Sequence, residues 1–181
     1  MSVASGTHTI GPDNGHVTVS VYKDGVAAKM GHDLVLEASS WSGKADINSD
    51  DPSASSVQVS IDPSSLTVVK GTGGAKALSD KDKADIVKNI NDKILNTNKY
   101  QEITFESTGA SDSSLKGNLT INGSTNPVTL DLSVNDSTGE VTGKTSFQQT
   151  QFGIKLFSAM MGALKVKDKV DIEVSVKLPT A

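Results

Sequence analysis

The 181-residue chain has no cysteine. This rules out disulfides, a thiol nucleophile and cysteine-ligated zinc, so packing and hydrogen bonding alone must hold the fold. Aromatic residues are scarce at 4%, and apolar residues reach only 35%, so an interior would have few large groups to plug it. No window approaches the ~18 apolar residues that a membrane-spanning helix needs. The opening residues, Met-Ser-Val-Ala-Ser-Gly-Thr-His-Thr-Ile, lack the basic segment and apolar run of a secretory leader. The expected location is cytoplasmic, or periplasmic or secreted if a leader was removed. Net charge is −4 and the pI is about 5.3, which argues against electrostatic binding to nucleic acid or to an anionic membrane. Gly71-Thr72-Gly73-Gly74 lacks the Gly-Lys-Ser/Thr ending and βαβ context of a phosphate loop, and reads as a flexible link. There is no paired-carboxylate motif and no nucleophile elbow.

The length suits one domain, residues 1–181, with a real core. What fills the chain is alternation. From Gly117 to Val134, Leu119 and Ile121 alternate with polar residues; then Val128, Leu130, Leu132 and Val134 do the same after Asn122-Gly123. Period-two alternation around a dipeptide that accepts positive φ predicts a β-hairpin. Pro127, without an N–H, is expected in the loop or at the start of the second strand. Further strands are predicted at residues 17–22, from Leu34 through Trp41 toward Ile47, at 57–61, 66–69, 103–107, 141–147 and 169–178. One helix is predicted over about 79–96: Ser79 and Asp82 approximate a capping box, and Ile86, Val87, Ile90 and Ile94 make one apolar stripe, a lid or plug against the sheet. A short helical turn is expected near 155–163. The fold class is all-β and antiparallel, with barrel and sandwich both open on periodicity alone.

Several segments together resemble the YceI family of polyisoprenoid-binding, lipocalin-like proteins. They are Met30-Gly31-His32-Asp33-Leu34, Ser64-Ser65-Leu66, Ile103-Thr104-Phe105-Glu106-Ser107, Gly117 to Thr125, and Phe152 to Gly162. The resemblance spans nearly the whole chain. It implies a lipocalin-like antiparallel β-barrel whose interior holds a long prenyl chain; the missing nucleophile, metal and cofactor signatures add the expectation of no cofactor and no enzymatic reaction. The implied partner is a polyisoprenoid or similar apolar lipid, without stable membrane insertion; a homodimer is left open.

Alternation gives an expected core-facing set: Val17, Val19, Leu34, Leu36, Phe105, Leu119, Ile121, Leu130, Leu132, Phe147, Val170, Ile172 and Val174. Ligand contacts are expected to draw on these, with Trp41, Phe152, Phe157, Met160 and Met161 near an opening. Trp41 is read either as core or as a ligand platform. The two methionines are read as core or as an adaptable apolar mouth. His32 beside Asp33 has three readings: a turn-stabilising residue, a polar contact at a ligand's end, or a catalytic or metal-binding group. The rival functions are an all-β interaction module without an internal ligand, and a lipid-processing enzyme using His32 and Asp33.

Overall fold

Alternating segments become antiparallel strands in a computed structural model that describes residues 2–181. In chain order they are β1 (Gly6–Ile10), β2 (Gly15–Asp24), β3 (Asp33–Ala38), β4 (Trp41–Ile47), β5 (Ser56–Ile61) and β6 (Leu66–Thr72). After helix α1 (Asp80–Asn89) come β7 (Ile103–Ala110), β8 (Ser114–Ile121), β9 (Ser124–Asn135), β10 (Glu140–Gln148), β11 (Ser158–Ala159) and β12 (Leu164–Lys177). The sheet runs β1-β4-β5-β7-β8-β9-β10-β12-β2-β3-β6, with β11 pairing β12. It is the expected all-β antiparallel architecture with one inserted helix, curled into a half-barrel.

The strand predicted from Leu34 to Ile47 is in fact two. Ser39 and Ser40 break it, and Asp62 to Ser65 break its partner at the same level, where Asp62 N–H donates to Ser40 O and Ser39 N–H to Ser65 O. β3–β6 and β4–β5 are therefore two halves of one long hairpin, bent at a corner. The Asp62 carboxylate accepts from Ser64 N–H at 2.9 Å and so caps the turn that Pro63 begins. Alternation cannot reveal such a corner, because both halves keep the same period.

The bend divides the barrel. At one end the segment before β1 closes onto the C-terminal segment: Val3 pairs with Thr180, and Ala4 N–H donates to Pro179 O at 2.8 Å. At the other end β6 has no strand on its outer edge, and α1 packs beside it instead. Ser79 accepts from Asp82 N–H while the Asp82 carboxylate accepts from Ser79 N–H, the reciprocal cap its sequence predicts. The α-helix stops earlier than expected, at Asn89, and continues as a wider π turn, Ile90–Ile94. That turn rotates the following residues, so Leu95 joins Ile90 and Ile94 facing inward. Asn122, at φ 51° in the two-residue β8–β9 turn, donates its amide to Ile94 O at 3.0 Å and ties the helical segment to that hairpin. Where a helical turn was expected near 155–163 there is a single tight turn, Met160–Gly162, whose residues have positive φ.

Pro127 lies inside β9 and not at its start, because the hairpin turn uses only Asn122 and Gly123. It is tolerated there because β10 pairs with β9 only from Asp131 to Asn135, leaving residue 127 on a free edge. The gap so opened is occupied by the 149–157 segment, with Asn126 donating to Gln151 O at 2.9 Å.

On the outer face Asp171 of β12 accepts hydrogen bonds from Ser146 of β10 and Tyr22 of β2. These two hydroxyls hold its carboxyl below its ordinary value. The resulting stability is present above the ordinary aspartate pKa, about 3.9, and is lost as pH falls through the lower folded value. Tyr22→Phe combined with Ser146→Ala should therefore lower Tm at neutral pH. The gap to the wild type should close as melts are taken from about pH 4 down to about pH 2. A second expectation concerns the tie to the helix. Asn122→Gly keeps the positive φ but removes the amide, so stability should fall by about 1 kcal/mol. Hydrogen exchange should show residues 80–95 losing protection more than β10 or β12.

Candidate functional site

The inward face of the sheet surrounds an apolar cavity of about 500 Å³ that runs along the barrel. Its wall contains the full alternation set: Val17, Val19, Leu34, Leu36, Phe105, Leu119, Ile121, Leu130, Leu132, Phe147, Val170, Ile172 and Val174. Along β9 every inward residue (Val128, Leu130, Leu132, Val134) is only half-buried, although each points to the inside. Toward the corner end the wall is tighter: Val3, Ile10, Val17, Val176 and Leu178 are buried while still bordering the cavity, and Trp41 is buried without lining it. The middle stays open because the side chains there face space and not one another.

Aromatic placement explains part of this shape. At Gly117 of β8 an added Cβ would stand 2.4 Å from Cζ of Phe105, so only glycine lets that ring lie flat across the neighbouring strand. Phe147 faces the cavity, and Phe152 backs it edge to face with centroids 5.0 Å apart.

Four residues expected near an opening do not line the cavity. Trp41 is core: it is 6% exposed, and its ring reaches under Gly15, where an added Cβ would lie 3.2 Å from Cη2. Phe152, 1% exposed, is likewise packing behind the wall. Met160 and Met161 point outward, and Met161 is wholly solvated. Their φ values of 53° and 57° put both in the left-handed region, which costs a non-glycine residue about 1–2 kcal/mol. Of the five, Phe157 alone lines the cavity.

His32 lies at the cavity's rim with Lys23, Met30 and Lys165. Its Nε2–H donates to Lys76 O at 2.6 Å. The ring rests on Gly74, where an added Cβ would be 2.1 Å from Nε2. Asp33 does not pair with His32; its carboxylate accepts from Lys23 N–H at 2.9 Å. Lys23 in turn donates its ammonium to Gly73 O. Together Lys23 and His32 latch the Gly73–Lys76 link to the ends of β2 and β3. Among the described residues no three His, Asp or Glu side chains gather as a metal would require.

Alternation missed some of the wall. Ile86, Ile90 and Ile94 of the helical segment contribute to it, and their stripe was the available signal. Gln149, 7% exposed, also lines the cavity and donates its amide to Lys167 O at 3.1 Å. Nothing in the polar run Gln148-Gln-Thr-Gln151 marks that residue as buried.

Comparison with known proteins bears on this architecture. No curated protein matches the chain significantly. The crystal structure of BcnA from Burkholderia cenocepacia has a TM-score of 0.68 at 16% identity, over 94% of this chain and 99% of that one. A polyisoprenoid binding domain from Saccharophagus degradans, implicated in plant cell wall breakdown, has a TM-score of 0.58 at 8% identity, over 98% of this chain and all of its own. The Campylobacter jejuni YCEI protein has a TM-score of 0.53 at 14% identity, over 78% and 82%. At these identities the likeness is one of fold. The sequence profile of the YceI-like domain matches residues 9–178, and on that match the chain belongs to the YceI-like domain family.

Proposed function

We propose that the chain binds a long apolar lipid of the polyisoprenoid kind in its interior and carries it without chemical change. The observation that supports this best is the continuous apolar wall whose central residues are only half-buried. Sharing a fold with a domain named for binding polyisoprenoids supports the same reading. Burial contributes ~0.8 kcal/mol per CH₂, and ordering a flexible chain offsets much of it. An apolar tunnel is thus a sufficient binding site. Val21, Val128, Leu130 and Leu132 would meet the chain, with Gln149 and Thr145 as polar groups along the wall.

The rival readings find less support. A catalytic His32 would need a serine or carboxylate partner, and the ring is engaged with a backbone carbonyl. A carbohydrate- or protein-binding module would display aromatics, yet none of the seven aromatic side chains is exposed.

Organic extraction of protein purified from its native source, followed by mass spectrometry, is expected to yield a stoichiometric long-chain lipid. Consistent absence of any lipid would overturn the reading. Leu132→Trp adds a ring in the middle of the cavity. It should cut the lipid recovered several-fold while Tm holds or rises, since the added group enters open space. If lipid content were unchanged, the guest would not occupy this cavity.

A further inference from the structure

We infer that the His32 end of the barrel is a docking face for an anionic bilayer, placing the cavity mouth against the lipid phase. Large exposed apolar side chains cluster there. Among the described residues Val26, Met30, Val69, Met160 and Met161 are the exposed large hydrophobics. Four of these five sit on two loops that touch: Ala27 N–H donates to Ala163 O at 2.8 Å, and Gly25 packs against the same carbonyl. Both loops border the cavity, through Met30 and Gly31 on one side and Leu164 and Lys165 on the other.

The methionine loop is held in an unfavourable backbone conformation. Met160, Met161 and Gly162 have consecutive positive φ values of 53°, 57° and 87°. Glycine or asparagine would sit there with less strain. Met161 is fully solvated and Met160 is 52% exposed, so neither belongs to the core. Backbone strain that displays an apolar, adaptable side chain to solvent is understandable if that side chain meets something apolar.

Charge identifies the partner. Three segments converge on this end: residues 25–32, 70–79 and 153–167. They carry Lys29, Lys70, Lys76, Lys155, Lys165 and Lys167 and no carboxylate at all. The overall charge of −4 therefore conceals a basic end on an acidic body. Asp24, Asp33, Asp80, Asp82 and Asp168 flank it; Asp33 is engaged by the Lys23 N–H, Asp82 caps α1 and Asp168 accepts from Thr150. Every basic residue of the chain is lysine, which suits diffuse attraction to a charged surface better than a two-pronged grip on one head group. Apolar tips ringed by lysine fit the interface of a membrane containing anionic lipid. What docking would accomplish rests on the lipid-carrier reading: a guest could pass from bilayer to cavity without crossing water.

The test is sedimentation with vesicles of phosphatidylcholine containing about one-third phosphatidylglycerol. The wild type should pellet with these vesicles, stay in solution with pure phosphatidylcholine, and be released by about 0.5 M salt. Met160→Gly/Met161→Gly removes the anchors and relieves the strained backbone. Tm should hold or rise while vesicle affinity falls at least about tenfold. Failure of the wild type to pellet would overturn the inference, as would unchanged binding by the double variant. So would a solution dimer that the double variant dissolves, which would make this face an interface between copies. A fluorescent polyprenol delivered from ethanol separates the two proposals. The double variant should take it up as the wild type does. If the wild type pellets with vesicles but never takes up the polyprenol, docking stands and the lipid-carrier reading falls.

Discussion

Strand β12 is hydrogen-bonded along one edge to β10 and along the other to β2 for most of its length, and this double ladder is the constraint from which the rest of the molecule follows. Its register places Val170, Ile172 and Val174 inward opposite Phe147, Thr145 and Gly143 on one side, and Val21, Val19 and Val17 on the other. A slip of one residue would turn every one of these outward. The outer face reinforces the register, since Asp171 collects hydroxyls from both neighbouring strands. With three strands locked, the twist natural to long strands carries the remaining ones around an interior.

That interior is solved differently at its two ends. At the Trp41 corner, the chain's two terminal segments pair through their backbones, and a cluster of buried valines, leucine and tryptophan narrows the interior. At the His32 end, strands give way to a helix, a glycine-rich link and the 149–157 segment, each held by a few side-chain-to-backbone bonds from Asn122, Lys23, His32 and Asn126. Such pieces open at a lower free-energy cost than a ladder of cooperative strand pairs. The gradient from sheet closure to side-chain closure gives the barrel a fixed bottom and an adaptable top.

Much of this was legible in the sequence. Period-two alternation located the inward wall residue by residue, because each strand packs one face and wets the other. The Ser79–Asp82 cap and the isoleucine stripe located the helix for the same local reason. What sequence could not show were effects of distance. The corner at Ser39–Ser40 depends on a second bend in a partner strand more than twenty residues away. Trp41 stayed open between core and ligand platform because exposure at a mouth and burial at a corner leave the same single letter in the chain. For Met160 and Met161 the apolar run left core and mouth both open, and only their left-handed backbone shows that they turn outward. Net charge, as a sum over the chain, does not report how the fold distributes its lysines.

The helix beside β6 has a consequence for how copies of this protein meet. An edge strand with unsatisfied N–H and C=O groups is a template on which another chain can add a strand, and long half-apolar sheets are prone to grow in that way. β6 is such an edge, with Val69 exposed on it. By laying Leu78 against Gly71 and α1 alongside the strand, the chain blocks that growth with its own next segment. The element that covers the cavity is thereby also a guard against aggregation. Any motion that lifts it to admit a guest exposes the barrel to edge-to-edge association for as long as it stays open.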